Sequence, residues 1–292
     1  MKRAIFNDRL LPYLLLGPQL IVTLVFFIWP SGEAIWQSML LEDAFGGSSR
    51  FVWFRNFERL FDDEGYWASF ETTAIFSIAV ATIGLALALL LAATADRSLR
   101  GGGGYRSLLI WPYAVAPAVA GVLWGFLFNP GAGLLPYYLN MMGVAWNHQI
   151  NGNQALLLVI AAACWNQVSY NFVFFLAGLQ SIPRALIEAA AIDGAGPGRR
   201  FWTIVFPLLA PTGFFLLVVN IIYAFFGTFG IVDALTKGGP ARSTEILVYK
   251  VYSDGFRGQD FGGSAAQSAI LMGIVVILTV VQFRFIERRI HY

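Results

Sequence analysis

Residues 188–211 read EAAAIDGAGPGRRFWTIVFPLLAP, a polar segment set between long apolar runs. Alanine is the best helix former, so the segment is expected to begin as a helix, and Arg184 precedes Glu188 at the spacing of an ion pair. Gly194 can adopt the left-handed conformation that ends many helices, and Pro197 cannot continue the helix beyond it. The pattern predicts a short helix, a break and a second helix that starts near the two arginines. Small residues beside the break would let another protein surface approach the backbone closely.

The composition of the chain is that of a membrane protein. Of its 292 residues, 58% are hydrophobic and only 12% are charged, whereas a soluble domain carries about 25% charged residues. The excess apolar surface must contact lipid, so we predict an all-α integral membrane protein. The net charge of +2 is too small and too dispersed to favour nucleic acid as a partner.

Six apolar runs are long enough to cross a bilayer, which requires about 20 helical residues. The first run is longer than the core of a signal peptide and lacks a small-residue cleavage pattern, so we expect it to be retained. The runs predict a single multi-pass domain over residues 1–292. Its spans 1 to 6 are expected at residues 11–30, 70–95, 107–128, 154–179, 208–230 and 264–285.

The distribution of arginine and lysine sets the expected orientation. Twelve of the 19 basic residues fall at the amino terminus, in the loops after spans 2 and 4, and in the tail, against seven in the other loops. Cytoplasmic loops carry the excess of basic residues, so both termini are expected in the cytoplasm. Residues 180–207, which hold most of the alanine-rich segment, then form a cytoplasmic loop.

The six runs lack the groups that perform chemistry or ion coupling inside a membrane. Away from the run ends they contain no Lys, Arg, His, Asp or Glu, whereas ion-driven carriers place such groups at membrane depth. None of the lysines lies in a Gly-Lys-Ser/Thr phosphate loop, and Cys164 with two distant histidines makes no metal cluster. We expect a non-catalytic subunit with no catalytic, cofactor-binding or metal-binding residues, and an energy source in another subunit. A self-sufficient channel or secondary carrier is the alternative from another class.

The alanine-rich segment resembles the EAA loop of importer permeases of the ATP-binding-cassette (ABC) superfamily. The pattern of that family is Glu-Ala-Ala, two variable residues and Asp-Gly-Ala, followed by Phe, Ile and Pro. The resemblance implies a coupling helix seated in a groove of a cytoplasmic ATPase, which binds ATP and magnesium outside this chain. The residues that match the pattern or lie within the loop are Glu188, Ala189, Ala190, Asp193, Gly194, Ala195, Gly196, Phe201, Ile204 and Pro207.

Other segments extend the likeness over nearly the whole chain. WPYAVAPAVAGVLWGFLFNPG at 111–131 and TKGGPARSTEILVYKVYSDGF at 236–256 look like the maltose and glycerol-phosphate branch of sugar-type permeases. Residues 167–201 are most similar to A-type permeases of sn-glycerol-3-phosphate importers. The resemblance implies the type I importer permease fold, a place in the bacterial inner membrane, and sn-glycerol 3-phosphate as cargo with glycerophosphodiesters as further candidates. It also implies a heterodimer with an E-type permease, two copies of an ATPase subunit and an extracytoplasmic substrate-binding protein.

Polar residues inside spans 4 and 5 are candidates for the substrate path, because a polar group in a span is unfavourable unless it is paired or faces water. Asn166 and Tyr170 lie four residues apart on one helical face with Asn171 beside them, and Asn220 and Tyr223 hold similar positions in span 5. The same groups could instead bond neighbouring helices to each other. The spans carry no cation away from their ends, so the residues alone favour a neutral sugar or polyol as cargo, whereas the resemblance favours a phosphate ester.

Overall fold

The structure, a computed structural model, describes residues 11–42, 47–96 and 102–286 and is almost entirely helical. The basic residues at positions 2–9, 97–100 and 288–289, which contribute to the predicted orientation, lie outside the described residues. A short antiparallel ladder joins the strands Leu40–Glu42 and Ser49–Phe51. The α-helices are Leu11–Thr23, Trp29–Gln37, Arg55–Phe61, Glu64–Asp96, Gly102–Ile110, Pro117–Leu127, Leu134–Met141, Gly152–Ser181, Arg184–Ile192, Pro197–Arg200, Phe206–Leu208, Ala210–Ile222, Phe229–Leu235, Leu247–Tyr252 and Phe261–Val281.

Short segments of different pitch adjoin several of these helices. Residues Trp111–Ala114 form a 3₁₀ turn. Wider π-helical turns, which commonly occur as single turns next to α-helices, are Leu24–Ile28, Phe201–Val205, Tyr223–Gly227, Ser253–Arg257 and Gln282–Ile286.

Five helical segments in the described part of the chain are long and apolar enough to cross a membrane, and a bent pair makes a sixth when it is counted as one span. Their composition confirms the predicted all-α architecture. In the order of the sequence prediction, span 1 is Pro12–Gln37, span 2 is Glu64–Asp96, span 3 is the bent pair Gly104–Ala114 and Pro117–Leu127, span 4 is Gly152–Ser181, span 5 is Ala210–Gly227 and span 6 is Phe261–Arg284.

Span 3 is bent where the sequence predicts one run at residues 107–128. Its two halves meet at an angle of 103°. Val115 and Ala116 between them leave the helical region, with ψ of 123° and 142°. Ala116 does so because a residue directly before proline is driven out of that region. Pro117 then begins the second half, where a missing amide hydrogen costs nothing. The run at 107–128 is therefore two helices joined at a sharp corner.

The chain divides into two compact units. One contains the residues up to Asp63 together with Val251–Met272, and the other contains Glu64–Lys250 together with the residues from Gly273 on. The prediction of a single permease domain over residues 1–292, with a cytoplasmic loop at 180–207, stays a prediction.

The unit that contains the strands is organised around Asn56. The Asn56 side-chain amide donates hydrogen bonds to the carbonyl oxygens of Ser38 and Leu40, each at 2.8 Å. A Cβ atom at position 262 would lie 2.3 Å from the Leu40 carbonyl oxygen, so glycine is required where span 6 begins. Arg59 and Asp260 form an ion pair in the same unit.

The other unit is built on spans 2 and 4, which pack against each other more extensively than any other pair of described helices. Gly84, Ala88 and Ala92 fall every four residues on one buried face of span 2. Small side chains at such positions let two helices in a membrane approach closely. The rings of Phe172 and Phe175 in span 4 belong to the same buried cluster as the two alanines.

Two asparagine side chains join span 4 to span 5 in this unit. Nδ2 of Asn171 donates to Oδ1 of Asn220 at 3.0 Å, and Nδ2 of Asn220 donates to Oδ1 of Asn171 at 2.7 Å. Both residues are fully buried, and Nδ2 of Asn220 also lies 2.7 Å from the Leu216 carbonyl oxygen. The pair bonds helix to helix, and a buried amide of this kind is costly to leave without its partner.

We predict that the two single replacements of these asparagines together destabilise the protein more than the double replacement does. Asn171→Leu or Asn220→Leu leaves one buried amide unpaired and should cost about 1–3 kcal/mol of stability. The double variant removes both amides and should cost clearly less than the sum of the two single changes. Thermal unfolding of the purified protein in detergent measures these differences.

Asn153→Leu is the matched control, because Asn153 is exposed near the start of the same helix. Its effect should lie within about 0.5 kcal/mol of zero. Additive single effects at positions 171 and 220 would show that the two amides do not depend on each other.

Candidate functional site: an exposed helix and a polar cavity

The helix predicted in the alanine-rich segment is present as Arg184–Ile192, named here the EAA helix. It ends as the sequence predicts, because Gly194 is left-handed with φ of 80°. The amide of Ala195 donates to the carbonyl of Ala190 at 2.9 Å, and the amide of Gly194 donates to the carbonyl of Ala191 at 3.1 Å. These two bonds close the helix in a Schellman motif.

The start of the EAA helix lacks the ion pair that the sequence spacing allows. Pro183 lies before the first turn of the EAA helix, with ψ of 122°. Arg184 and Glu188 form no ion pair among the described residues. A cation placed four residues before an acid is the less favourable order on a helix, because both charges then oppose the helix dipole.

The side chains of the EAA helix are largely exposed. Every residue from Arg184 to Ile192 is exposed or only partly buried, and Ile192 is 87% exposed. Trp202, close to the two arginines, is 65% exposed. Of the residues that match the family pattern, Ala190, Ala195, Phe201 and Ile204 are partly buried and Glu188, Ala189, Asp193, Gly194, Gly196 and Pro207 are exposed.

A packed connection links the EAA helix to the membrane spans. The chain restarts at Pro197–Arg200 and runs through the π turn Phe201–Val205 toward span 5. Val205 belongs to the buried cluster between spans 2 and 4, and Ile187 and Phe201 pack against that cluster. A force on the EAA helix therefore reaches the packed face of spans 2 and 4 directly.

A cavity of about 670 Å³, with a few polar side chains in a mainly apolar wall, lies between spans 3, 4 and 5. It opens at the corner of span 3, so it is lined by both halves of that span. All of its lining side chains are uncharged at neutral pH, and they come from Tyr113, Ala114, Val115, Ala116, Pro117, Asn166, Gln167, Tyr170, Val219, Ile222, Tyr223, Phe226 and Gly227.

Hydrogen bonds from span 4 shape this cavity. Nδ2 of Asn166 donates to the carbonyls of Pro112 at 3.2 Å and Val115 at 2.9 Å, both at the corner of span 3. The Tyr223 hydroxyl donates to Oδ1 of Asn166 at 3.3 Å. The rings of Tyr113 and Tyr170 lie 5.6 Å apart, centroid to centroid, across the cavity wall.

Three of the five residues predicted for the substrate path meet at this cavity. They are Asn166, Tyr170 and Tyr223. Asn171 and Asn220 do not line it. Helical periodicity predicts that they lie near the cavity face, but their side-chain amides bond to each other instead. The sequence prediction also omitted Tyr113 and Gln167 from the path. The signal that could have found Tyr113 is the pair of prolines at 112 and 117, since interrupted helices at membrane depth commonly line binding sites.

Residues 9–292 match the family described as "Binding-protein-dependent transport system inner membrane component". The chain belongs to this family. The permease is therefore an inner membrane protein that works with a substrate-binding protein and other subunits.

Two relatives are similar to the permease over essentially their whole length. The sn-glycerol-3-phosphate transport system permease protein UgpA of Agrobacterium fabrum is 60% identical over 292 residues, covering 100% of both chains. The protein of the same name from Yersinia enterocolitica is 59% identical over 287 residues, covering 98% of this chain and 97% of its own. Both are named permease proteins, which agrees with the predicted role of a non-catalytic membrane subunit.

A solved structure shares the fold of the permease. One chain of the bacterial alginate ABC transporter, in complex with a periplasmic protein that carries an alginate pentasaccharide, superposes with a TM-score of 0.81. The superposition covers 95% of this chain and 94% of that chain at 20% identity. The type I importer permease fold predicted from the sequence is confirmed.

Proposed function

We propose that the permease is one transmembrane half of an ATP-driven importer of sn-glycerol 3-phosphate, with glycerophosphodiesters as related cargo. The observation that supports this cargo is the full-length similarity, at 60% identity, to a protein named for sn-glycerol-3-phosphate transport. The second half of the importer is an E-type permease, and an extracytoplasmic protein delivers the substrate.

The energy for import comes from two copies of an ATPase subunit that bind ATP and magnesium. The EAA helix is the docking surface for that ATPase. Its side chains are exposed, and its small alanine and glycine residues let another surface approach the backbone closely. The excess of arginine in the loops on this side of the chain supports a cytoplasmic position for this surface. Closure of the ATPase subunits would move the EAA helix, and the packed contacts of Ile187 and Phe201 would carry the movement to spans 2 and 4.

The cavity between spans 3, 4 and 5 is the part of the substrate path that this chain contributes. Its volume of about 670 Å³ falls in the range of pockets for small ligands. Asn166, Tyr170 and Tyr223 supply amide and hydroxyl groups for the hydroxyls of a polyol skeleton. The partner permease would close the cavity on its open side.

A neutral sugar or polyol is the second candidate cargo. The observation in its favour is that the cavity is lined by uncharged side chains. A dianionic ester would have to be held by neutral donors, which form weaker hydrogen bonds to an anion than Arg or Lys does. A channel or secondary carrier is disfavoured because the chain belongs to a binding-protein-dependent family.

We predict that Gly194→Asp abolishes coupling between ATP hydrolysis and transport. Gly194 is exposed with φ of 80°, so a side chain there is strained by about 1–2 kcal/mol and would also project into the ATPase contact. Uptake in proteoliposomes should fall at least about tenfold, since a loss near 1.4 kcal/mol already gives that factor, while the permease remains in the membrane.

Gly198→Asp is the matched control for this variant. It adds the same charge four residues further on, at a position that also has open space but an ordinary φ. Normal uptake by Gly194→Asp, together with normal association of the ATPase, would show that the EAA helix is not the coupling surface.

We also predict that glycerol 3-phosphate, and not maltose, stimulates ATP hydrolysis by the reconstituted complex of both permeases, ATPase and binding protein. Importers of this kind hydrolyse ATP faster when a loaded binding protein engages the permeases, so stimulation reports the cargo. Stimulation by maltose alone would show that the cargo is a neutral sugar and not a phosphate ester. Equal uptake without ATP would contradict the ATP-driven mechanism itself.

A further inference from the structure

The side-chain amide of Gln167 lies at the cavity and has no hydrogen-bond partner in the described protein. The residue is only 4% exposed and lies in the cavity lining. In the ranges that the structure describes, its carboxamide makes no hydrogen bond, whereas neighbouring Asn166 gives its amide to two carbonyls of span 3. An amide that reaches a cavity without a protein partner is available to bond a ligand there.

The second half of span 3 presents a free helix end to the same cavity. Ala116 and Pro117, where the helix Pro117–Leu127 begins, both belong to the cavity lining. No side chain caps this end. Among the described residues the first helical amide to be bonded is that of Ala120, which donates to the Ala116 carbonyl at 2.9 Å, and the amide of Ala116 itself, in the cavity lining, donates to no described backbone carbonyl. A free helix amino end carries partial positive charge and attracts anions.

These two observations describe complementary halves of one anion site. The carboxamide of Gln167 supplies hydrogen-bond donors from span 4. The start of the second half of span 3 supplies the Ala116 amide and the positive end of a helix dipole. Nearby hydroxyls and rings, such as those of Tyr113 and Tyr170, suit a short polyol skeleton.

We propose that the cavity holds the phosphate group of the cargo through neutral donors alone, namely the Gln167 carboxamide and the Ala116 amide at the start of the second half of span 3. The inference rests on the proposed import of glycerol 3-phosphate and assigns the place where the charge of that ester is met. Neutral donors bind phosphate more weakly than an arginine would, so the site can release its cargo during each cycle.

The first test changes the charge at the helix end while keeping its shape. Ala116 has the extended conformation of an N-cap residue, with φ of −59° and ψ of 142°, and Asp and Asn are both favoured N-caps of almost equal size. Ala116→Asp places a carboxylate at the helix end that lines the cavity, whereas Ala116→Asn caps the same helix end without charge. In proteoliposomes that contain the complete importer, uptake of glycerol 3-phosphate by the Asp variant should be at least about tenfold below that of the Asn variant.

The second test changes the charge on the span 4 side. Gln167→Glu should likewise reduce uptake at least about tenfold, because a carboxylate repels the ester and has no donor to offer. Gln149→Glu is the matched control, since Gln149 is exposed outside the cavity lining, and its uptake should equal that of the unmodified importer. Co-purification of the partner subunits with each variant excludes a failure of assembly.

The outcomes separate the phosphate site from the proposed function. An unmodified importer that takes up no glycerol 3-phosphate would overturn the proposed cargo, and the phosphate site with it. Uptake by the unmodified importer, with Ala116→Asp equal to Ala116→Asn and Gln167→Glu equal to Gln149→Glu, would overturn the phosphate site alone.

Discussion

The corner of span 3 depends on the side-chain amide of Asn166. A helix that turns through 103° inside a membrane frees backbone carbonyls, and lipid offers them no donor. Asn166 supplies that donor to Pro112 and Val115 from the neighbouring span. The open cavity, the free end of the second half-helix and the placement of Tyr113 all follow from this corner. A single asparagine in span 4 thus fixes the geometry of a segment more than fifty positions away in sequence.

The same unit uses amide groups in a second way, and the contrast separates structure from site. Asn171 and Asn220 satisfy each other and leave nothing to offer a ligand. Gln167, four positions before Asn171 on the same helix, has its amide free beside the cavity. Two closely spaced polar residues of span 4 therefore have different roles. Asn171 bonds two helices to each other, whereas Gln167 remains available to a substrate.

Much of this arrangement can be predicted from the sequence, and the reasons for the remainder are physical. Apolar length identifies the spans, and Gly194 with Pro197 predicts the end of the EAA helix and its restart. Periodicity places Asn166 and Tyr170 on one face, and both line the cavity. It cannot say which helix that face meets, so Asn171 and Asn220 were assigned to the path although they pair with each other. Hydropathy does not predict the corner of span 3, because it measures affinity for lipid and carries no information about the direction of the helix axis.

The neutral lining of the cavity has an electrical consequence. A dianionic ester carries its own negative charge across the membrane potential, and this part of the path has no charged side chain to neutralise it on the way. Moving one elementary charge against 100 mV requires about 2.3 kcal/mol. With the cytoplasm negative, import is then electrogenic and opposed by the potential, and ATP hydrolysis must drive the cargo against the field as well as against its concentration.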